Sequence, residues 1–428
     1  MIVIIGFVLG GLIIGLLTLT GLLSAVKGTP VNDVETPGAP YPPSVRDQGF
    51  REGMELVTRT PLAFGHRIEM FVNGDETYPR LWEDLRAARE SITMQMYYCE
   101  KGRMAETLRE VLLDRARAGV AVYLLYDAFG SSFPKEYIAA LDDGGVHTAA
   151  FRPIGLRGAY KIQHRAHIRV VCVDGRVGYT GGFGISDKWF GDGVSKDQWR
   201  DSNVRFTGPA VRQLQAAFVA CWAEQTGHML VGPTLFPVDG KPGTDGALAG
   251  VLHGSPSVGS TEAERFFALS IASARERLYI TNSYFVPDRE FRAMIAGAAK
   301  RGVDTRVLTA GTETDVKSTL YAGRARYEEL LEAGVRVYEY DQTMMHAKTL
   351  VVDGVWAAVG SMNADNRSLS FNEETVLLML DPALGSQLER QFMRDLEHAT
   401  EIGLESFRKR GMWERTKEHA CHLVWRVL

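Results

Sequence analysis

The sequence predicts an α/β protein. Two pseudo-symmetric halves pack around one shared active site, behind an N-terminal transmembrane helix. Three observations carry this reading. Residues 1–26 contain no charged side chain. In the body, amphipathic stretches alternate with short apolar runs, the pattern of α/β units. Finally, a set of chemistry-bearing residues occurs twice: His167, Asp174 and Gly181 return 179 positions later as His346, Asp353 and Gly360.

The 428 residues allow two to three domains, and 45% hydrophobic with 23% charged residues is ordinary for a globular chain. A wholly disordered chain, a fibre and a polytopic membrane protein are thereby disfavoured. The net charge of −4 argues against a protein held on nucleic acid by bulk charge. The cysteines, Cys99, Cys172, Cys221 and Cys421, form no CxxC pair and suggest neither a zinc ribbon nor a disulfide scaffold. Cys172, between valines, reads as a small core residue.

In chain order, residues 1–27 are long enough to cross a bilayer as a helical anchor. A cleaved signal peptide is the rival reading, but no basic residue precedes the apolar run and Leu23, Ser24 and Ala25 make a weak cleavage site. Gly6/Gly10 and Gly11/Gly15 have GxxxG spacing, read here as ordinary membrane-helix glycine rather than a dimer contact. Lys27, Arg46 and Arg51 follow the anchor, which by the positive-inside rule leaves the catalytic body cytoplasmic. Residues 28–60 form a proline-rich, semi-rigid spacer, with Pro30, Pro37, Pro40, Pro42 and Pro43. The first half then runs over 61–231, a Gly/Pro-rich linker over 232–259 and the second half over 260–400. A basic amphipathic tail, 401–428, closes the chain.

The halves read alike. Residues 85–92 (LRAARESI) resemble 271–278 (IASARERL), each a helix running into an apolar strand. The strands end at Tyr97 and Tyr98, and at Ser283 and Tyr284. A second helix follows in each half and stops at Gly119 or Gly302, where a new strand begins. Gly145-Val146 and Gly334-Val335 repeat that signal. The expected sheet is largely parallel, with the two units face to face.

On a strand, residues i and i+2 share a face. His167 therefore lies beside Arg169, and His346 beside Lys348, ahead of apolar runs that end in the turns at Asp174 and Asp353. An imidazole can attack as a nucleophile or move a proton near neutral pH. A fixed cation holds phosphate oxygens and stabilises developing charge. Two such pairs facing each other suit phosphodiester chemistry without a metal or cofactor, and neither site carries the carboxylate cluster of a two-metal enzyme.

His346-x-Lys348-x(4)-Asp353 resembles the HxKx4D motif of the phospholipase D superfamily. Gly360-Ser361-x-Asn363, Asp365-x-Arg367-Ser368 and Asn372-x-Glu374 continue the pattern of bacterial cardiolipin synthases. Tyr284 to Asp288, Tyr126 to Gly130, Trp199-Arg200-Asp201 and Gly208 to Val211 are similar to the same group, so the likeness covers about residues 65–400. The resemblance implies a covalent phosphohistidine whose phosphatidyl group passes to an alcohol or water. By position His167 is the nucleophile and His346 the general acid. Arg169 and Lys348 grip the phosphate, Ser361 and Asn363 add hydrogen bonds to it, and Asp201 and Glu374 orient the histidines. Asp174 and Asp353 complete the candidate set, with holding the turn as their simpler role. Two departures stand out: Arg169 replaces the family lysine, and Gly184 replaces the usual asparagine. Gly182 offers only backbone where the second half has Ser361.

The expected function is a phosphatidyltransferase anchored in the bacterial inner membrane, joining two phosphatidylglycerols into cardiolipin and glycerol. The substrate partner is phosphatidylglycerol, with the membrane and not nucleic acid as the setting. Rivals are a phospholipase D releasing phosphatidate, a nucleic-acid phosphodiesterase, and an inactive lipid-binding homologue. Trp82, Trp189, Trp199 and Trp222 read as core or pocket wall. The tail carries Arg408, Lys409, Arg410, Arg415 and Lys417 with Trp413, Leu423 and Trp425. It reads equally as a helix for anionic lipid or as an ordinary solvated terminus.

Overall fold

The computed structural model describes residues 30–153, 164–238, 245–256 and 259–425, with Gly10, Gly11 and Gly15. Those three glycines apart, the expected anchor lies outside the described residues. Among the described residues, no helix is long and apolar enough to cross a membrane.

Each half contributes seven strands of a common plan. The first has β1 (Ala63–Val72), β2 (Ser91–Met96), β3 (Ala121–Asp127), β4 (His147–Phe151), β5 (Val170–Val173), β6 (Val177–Gly181) and β7 (Ser202–Thr207). The second has β8 (Ala247–Gly254), β9 (Arg277–Asn282), β10 (Asp304–Ala310), β11 (Arg336–Tyr340), β12 (Thr349–Val352), β13 (Trp356–Gly360) and β14 (Glu374–Leu380), with β15 (Ala399–Glu401) added at its edge. The sheet order β15-β11-β10-β9-β12-β13-β14-β8-β1-β7-β6-β5-β2-β3-β4 reads the same way outward from the β8–β1 junction, β15 apart.

The parallel character is more limited than expected. Only β2-β3-β4 and β9-β10-β11 are parallel. These are the strands joined through helices 103–117, 135–143, 289–300 and 317–332, which supply the long crossovers parallel pairing needs. The remaining ladders are antiparallel, and of these β5–β6 and β12–β13 close through tight turns. At the β5–β6 and β12–β13 turns, Asp174 and Asp353 adopt φ of 53° and 51°, a left-handed conformation Asp tolerates.

The sheet bends at β1–β8, where the register shifts between Ala63 and His66. It folds over so that β6 and β7 lie against β13 and β14, and the Thr180 and Thr375 hydroxyls meet at 3.1 Å. Alternation along β13 then feeds two cores. Ala357 and Val359 join the core shared with the first half, while Trp356 and Ala358 pack with Phe266, Phe267 and Ile295 of the second half's helices.

Two boundaries differ from the sequence reading. The spacer ends early, since Gln48–Thr58 is a helix whose Phe50 packs edge-on to Trp356 at 5.1 Å. The Gly/Pro-rich linker contains β8, buried between β14 and β1. Its glycines masked an apolar strand buried along nearly all its length. The tail is also less free than its charge suggested: helix Met412–Trp425 packs along helix Lys317–Arg324, and Arg408 pairs with Glu328 and Glu332.

Candidate active site

Both histidines lie just before an antiparallel strand, on segments clasped to the opposite half. Ala166 bridges Glu373, and Met345 bridges Arg200. The Glu373 amide donates to the Arg165 carbonyl at 2.9 Å and the His346 amide to the Arg200 carbonyl at 2.7 Å. One residue further on, each bridge sets an imidazole against a carboxylate. His167 Nδ1 lies 3.0 and 3.1 Å from the two Glu374 oxygens. His346 Nδ1 lies 3.0 Å from Asp201 Oδ2. Each histidine is thus oriented by the other half, with Nδ1 turned to a carboxylate.

The cations differ. Arg169 donates to the His167 carbonyl at 2.6 Å and the Phe183 carbonyl at 3.3 Å, with its guanidinium 5.7 Å from the centre of the Tyr97 ring. Lys348 donates to Ser283 Oγ at 2.7 Å and to the His346 carbonyl at 2.5 Å, and its ammonium lies 3.0 and 3.1 Å from the two ring nitrogens of His346. Strands β2 and β9 end at Met96 and Asn282, so Tyr97 and Ser283 are equivalent positions. The arginine therefore comes with an aromatic partner and the lysine with a hydroxyl. Between the two halves, lysine with serine is exchanged for arginine with tyrosine.

Burial, helped by Arg169 and Lys348, holds both imidazoles well below the usual range. Burial likewise pushes Glu374 up to about 8, Asp201 up to about 6 and Lys348 down to about 7. Burial thus disfavours the charged form of each of these groups.

Both rings face a cleft of about 440 Å³. Its floor carries His167, Arg169, His346 and Asn363, and its walls carry Tyr97, Tyr98, Trp189, Trp199, Tyr284, Asp315 and Arg367. Trp189 and Trp199 are pocket wall, as read from sequence, while Trp82 and Trp222 are buried elsewhere in the core. Tyr97, Tyr284 and Ser283 touch the catalytic groups yet were given no role by the sequence reading, which placed Trp189 only in the core or pocket wall. The available signal was that Tyr97 and Ser283 end the equivalent strands β2 and β9, the place where parallel-sheet sites gather.

The phosphate-binding role of Ser361 needs correction, as does a catalytic part for Asp174 and Asp353, whose simpler turn-holding role fits the geometry. Ser361 does not face the cleft: it is fully buried and its hydroxyl donates to Glu374 at 2.5 Å. Asn363 does line the cleft, and among the described residues its Oδ1 has no hydrogen-bond partner. Asp174 and Asp353 are outside the site, at the far ends of β5 and β12. Asp174 Oδ1 accepts the amides of Glu90 and Ser91 at 2.8 and 2.9 Å. Asp353 accepts those of Arg275, Glu276 and Arg277 at 3.0, 2.8 and 2.8 Å. Their carboxylates fix the entries of β2 and β9, so the motif's aspartate acts on the fold. Among the described residues, the one thiol–imidazole–carboxylate group of metal-ligand type is Cys221, His253 and Glu373. There Glu373 is already bonded to His253 at 3.0 Å and Ser255 at 2.7 Å.

Two histidines, each backed by a carboxylate and flanked by a cation in one cleft between repeated halves, define a phospholipase D-type phosphodiester-transfer site. The comparisons agree. Residues 269–396 match the family model described as "Cardiolipin synthase, PLD-like domain". The chain is 32% identical to a cardiolipin synthase of Halalkalibacterium halodurans, over 86% of this chain and 73% of that protein. It is 34% identical to cardiolipin synthase A of Pseudomonas syringae pv. syringae, over 82% and 73%. The crystal structure of phosphatidylserine synthase from Haemophilus influenzae shares the fold, with a TM-score of 0.68 at 15% identity, covering 89% of this chain and all of that one. This chain belongs to the cardiolipin synthase family.

Proposed function

We propose that the two histidine–carboxylate pairs carry out phosphatidyl transfer through a phosphohistidine, converting two phosphatidylglycerols into cardiolipin and glycerol. The observation that carries this is the crossed pairing: each Nδ1 is tied to a carboxylate, and on this reading the two Nε2 atoms act on one phosphodiester. His167 Nε2 attacks phosphorus while His346 protonates the departing glycerol oxygen. The bond to glycerol breaks and a phosphatidyl–histidine remains. His346 then takes the proton from a hydroxyl of a second phosphatidylglycerol, which attacks phosphorus and frees His167. Arg169 supplies charge to the phosphate oxygens directly, Lys348 supports the site from beneath His346, and Asn363 offers its amide from the floor. Asp201 and Glu374 fix the tautomers and stabilise imidazolium as it forms.

This reading includes a phospholipid substrate, a bilayer setting in the bacterial inner membrane and a cytoplasmic body held by residues 1–27. The functional division of the chain is a spacer that ends before Gln48, a first half over 61–231, a second half that begins with β8 at Ala247 and runs to 400, and tail 401–428. The test is labelled phosphatidylglycerol fed to the purified full chain in vesicles, followed by mapping of the trapped phosphohistidine. Cardiolipin plus glycerol, with phosphate on His167, supports the reading. Phosphatidate alone makes the acceptor water, and label trapped on His346 reverses the two histidine roles. Cardiolipin formation that persists in His346→Ala overturns the mechanism.

A further inference from the structure

We propose that Trp189 is a positioning residue for His346, acting through Asp201, and takes in the first half the part Ser361 plays in the second. The inference rests on the phosphatidyl-transfer reading above. It starts from an asymmetry. Glu374, which orients His167, accepts the Ser361 hydroxyl at 2.5 Å. The position equivalent to Ser361 in the first half is Gly182. A Cβ there would lie 2.3 and 2.5 Å from the two carboxylate oxygens of Asp201. No side chain fits, so the hydroxyl donor is missing where Asp201 needs one.

The indole replaces it. Trp189 Nε1–H donates to Asp201 Oδ2 at 2.8 Å, the oxygen that also faces His346 Nδ1 at 3.0 Å. The indole lies perpendicular to the imidazole, with ring centres 5.1 Å apart. It packs against the second departure, Gly184, where a Cβ would meet the Tyr98 carbonyl at 2.9 Å and indole Cζ3 and Cη2 at 3.0 and 3.1 Å. Gly182 thus leaves room for the Asp201 carboxylate, and Gly184 for the indole that bonds it. The residue is also well held. It closes the short turn Asp187–Trp189, capped by Ser186. Asp187 accepts the Met104 amide at 2.9 Å, and Trp199 packs on the indole at 4.2 Å.

A hydrogen bond to the charged form of a carboxylate lowers its proton affinity, and a second donor fixes which oxygen faces the imidazole. Deleting the N–H therefore raises the pH at which Asp201 ionises and loosens His346. The experiment is the pH dependence of cardiolipin formation by Trp189→Phe, beside wild type and Trp199→Phe, with the full chain in phosphatidylglycerol vesicles. Trp189→Phe is expected to lose about tenfold in kcat with KM within about twofold, and to move the acid limb of the kcat profile to higher pH. Trp199→Phe leaves that limb in place whatever it does to kcat. Should Trp189→Phe fold poorly, Gly184→Ala presses on the indole from behind and is expected to move the same limb. An unmoved acid limb in a folded variant of either kind overturns the proposal. Wild type that makes no cardiolipin would instead sink the functional reading.

Discussion

Asp353→Asn separates a residue of the motif from the chemistry of the motif. Asp353 is buried and accepts three consecutive backbone amides at 2.8–3.0 Å. Asparagine tolerates the positive φ of this position, so the backbone is not strained. With its oxygen on Glu276 and Arg277, the two bonds to Oδ1 lose charge assistance, a cost of about 1 kcal/mol each. The amide nitrogen then meets the Arg275 N–H, donor against donor, which costs about 1–2 kcal/mol more. The loss is therefore about 3 kcal/mol, or a fall in melting temperature on the order of 5–10 °C for a unit the size of one half. The assays are a thermal melt and cardiolipin formation measured well below the transition, where kcat per folded molecule is expected to stay within about threefold, as for a substitution that loses no transition-state contact. A melting temperature within a degree of wild type, with kcat down a hundredfold, would refute the reasoning and return Asp353 to the active site. Asp174 is less buried, and its substitution is expected to cost less.

Three further outcomes follow from the same geometry. Burial raises Glu374 above its unfolded value to about 8, so the folded state holds the extra proton between the usual glutamate range and pH 8 and stability falls as pH rises through that window. Glu374→Gln is expected to lose cardiolipin formation but to flatten the decline of melting temperature between pH 5 and 9; an unchanged slope in thermal melts counts against this. Arg169→Lys and Tyr97→Ser are each expected to lower kcat/KM by about tenfold, a bidentate cation and an aryl partner being lost singly. The double variant recreates the Lys348–Ser283 pairing and recovers most of the loss, whereas strictly additive losses in the double-mutant cycle would sink the coupling. Met412 and Trp413 lie on the exposed side of the tail helix, and changing both to Ser is expected to weaken flotation with anionic vesicles by about tenfold at low salt. Equal flotation would assign the tail to packing alone.

Much of the site was legible in sequence because it depends on short spacings. The i and i+2 rule put His167 with Arg169 and His346 with Lys348, and the 179-residue repeat marked two halves. Asp201 and Glu374 were candidates only through family resemblance, since nothing local ties Asp201 to a histidine in the other half. Ser361 was read as a phosphate ligand because its side chain was placed by analogy, whereas packing turns it onto Glu374. The strand β8 was hidden because its glycines and its proline-rich flanks resemble a linker, although burial between β14 and β1 makes it a strand.

The sequence by itself determined the repeat, the α/β alternation, the histidine–cation pairs and the chemistry they serve, because these follow from local period and residue type. Tertiary structure decided which carboxylate serves which histidine. That pairing spans 207 and 145 positions along the chain, and only the folding of the sheet over β1–β8 brings the partners within hydrogen-bond reach. It also decided why Gly182 and Gly184 are glycine. Steric exclusion by Asp201 and Trp189 exists only once the first half is folded.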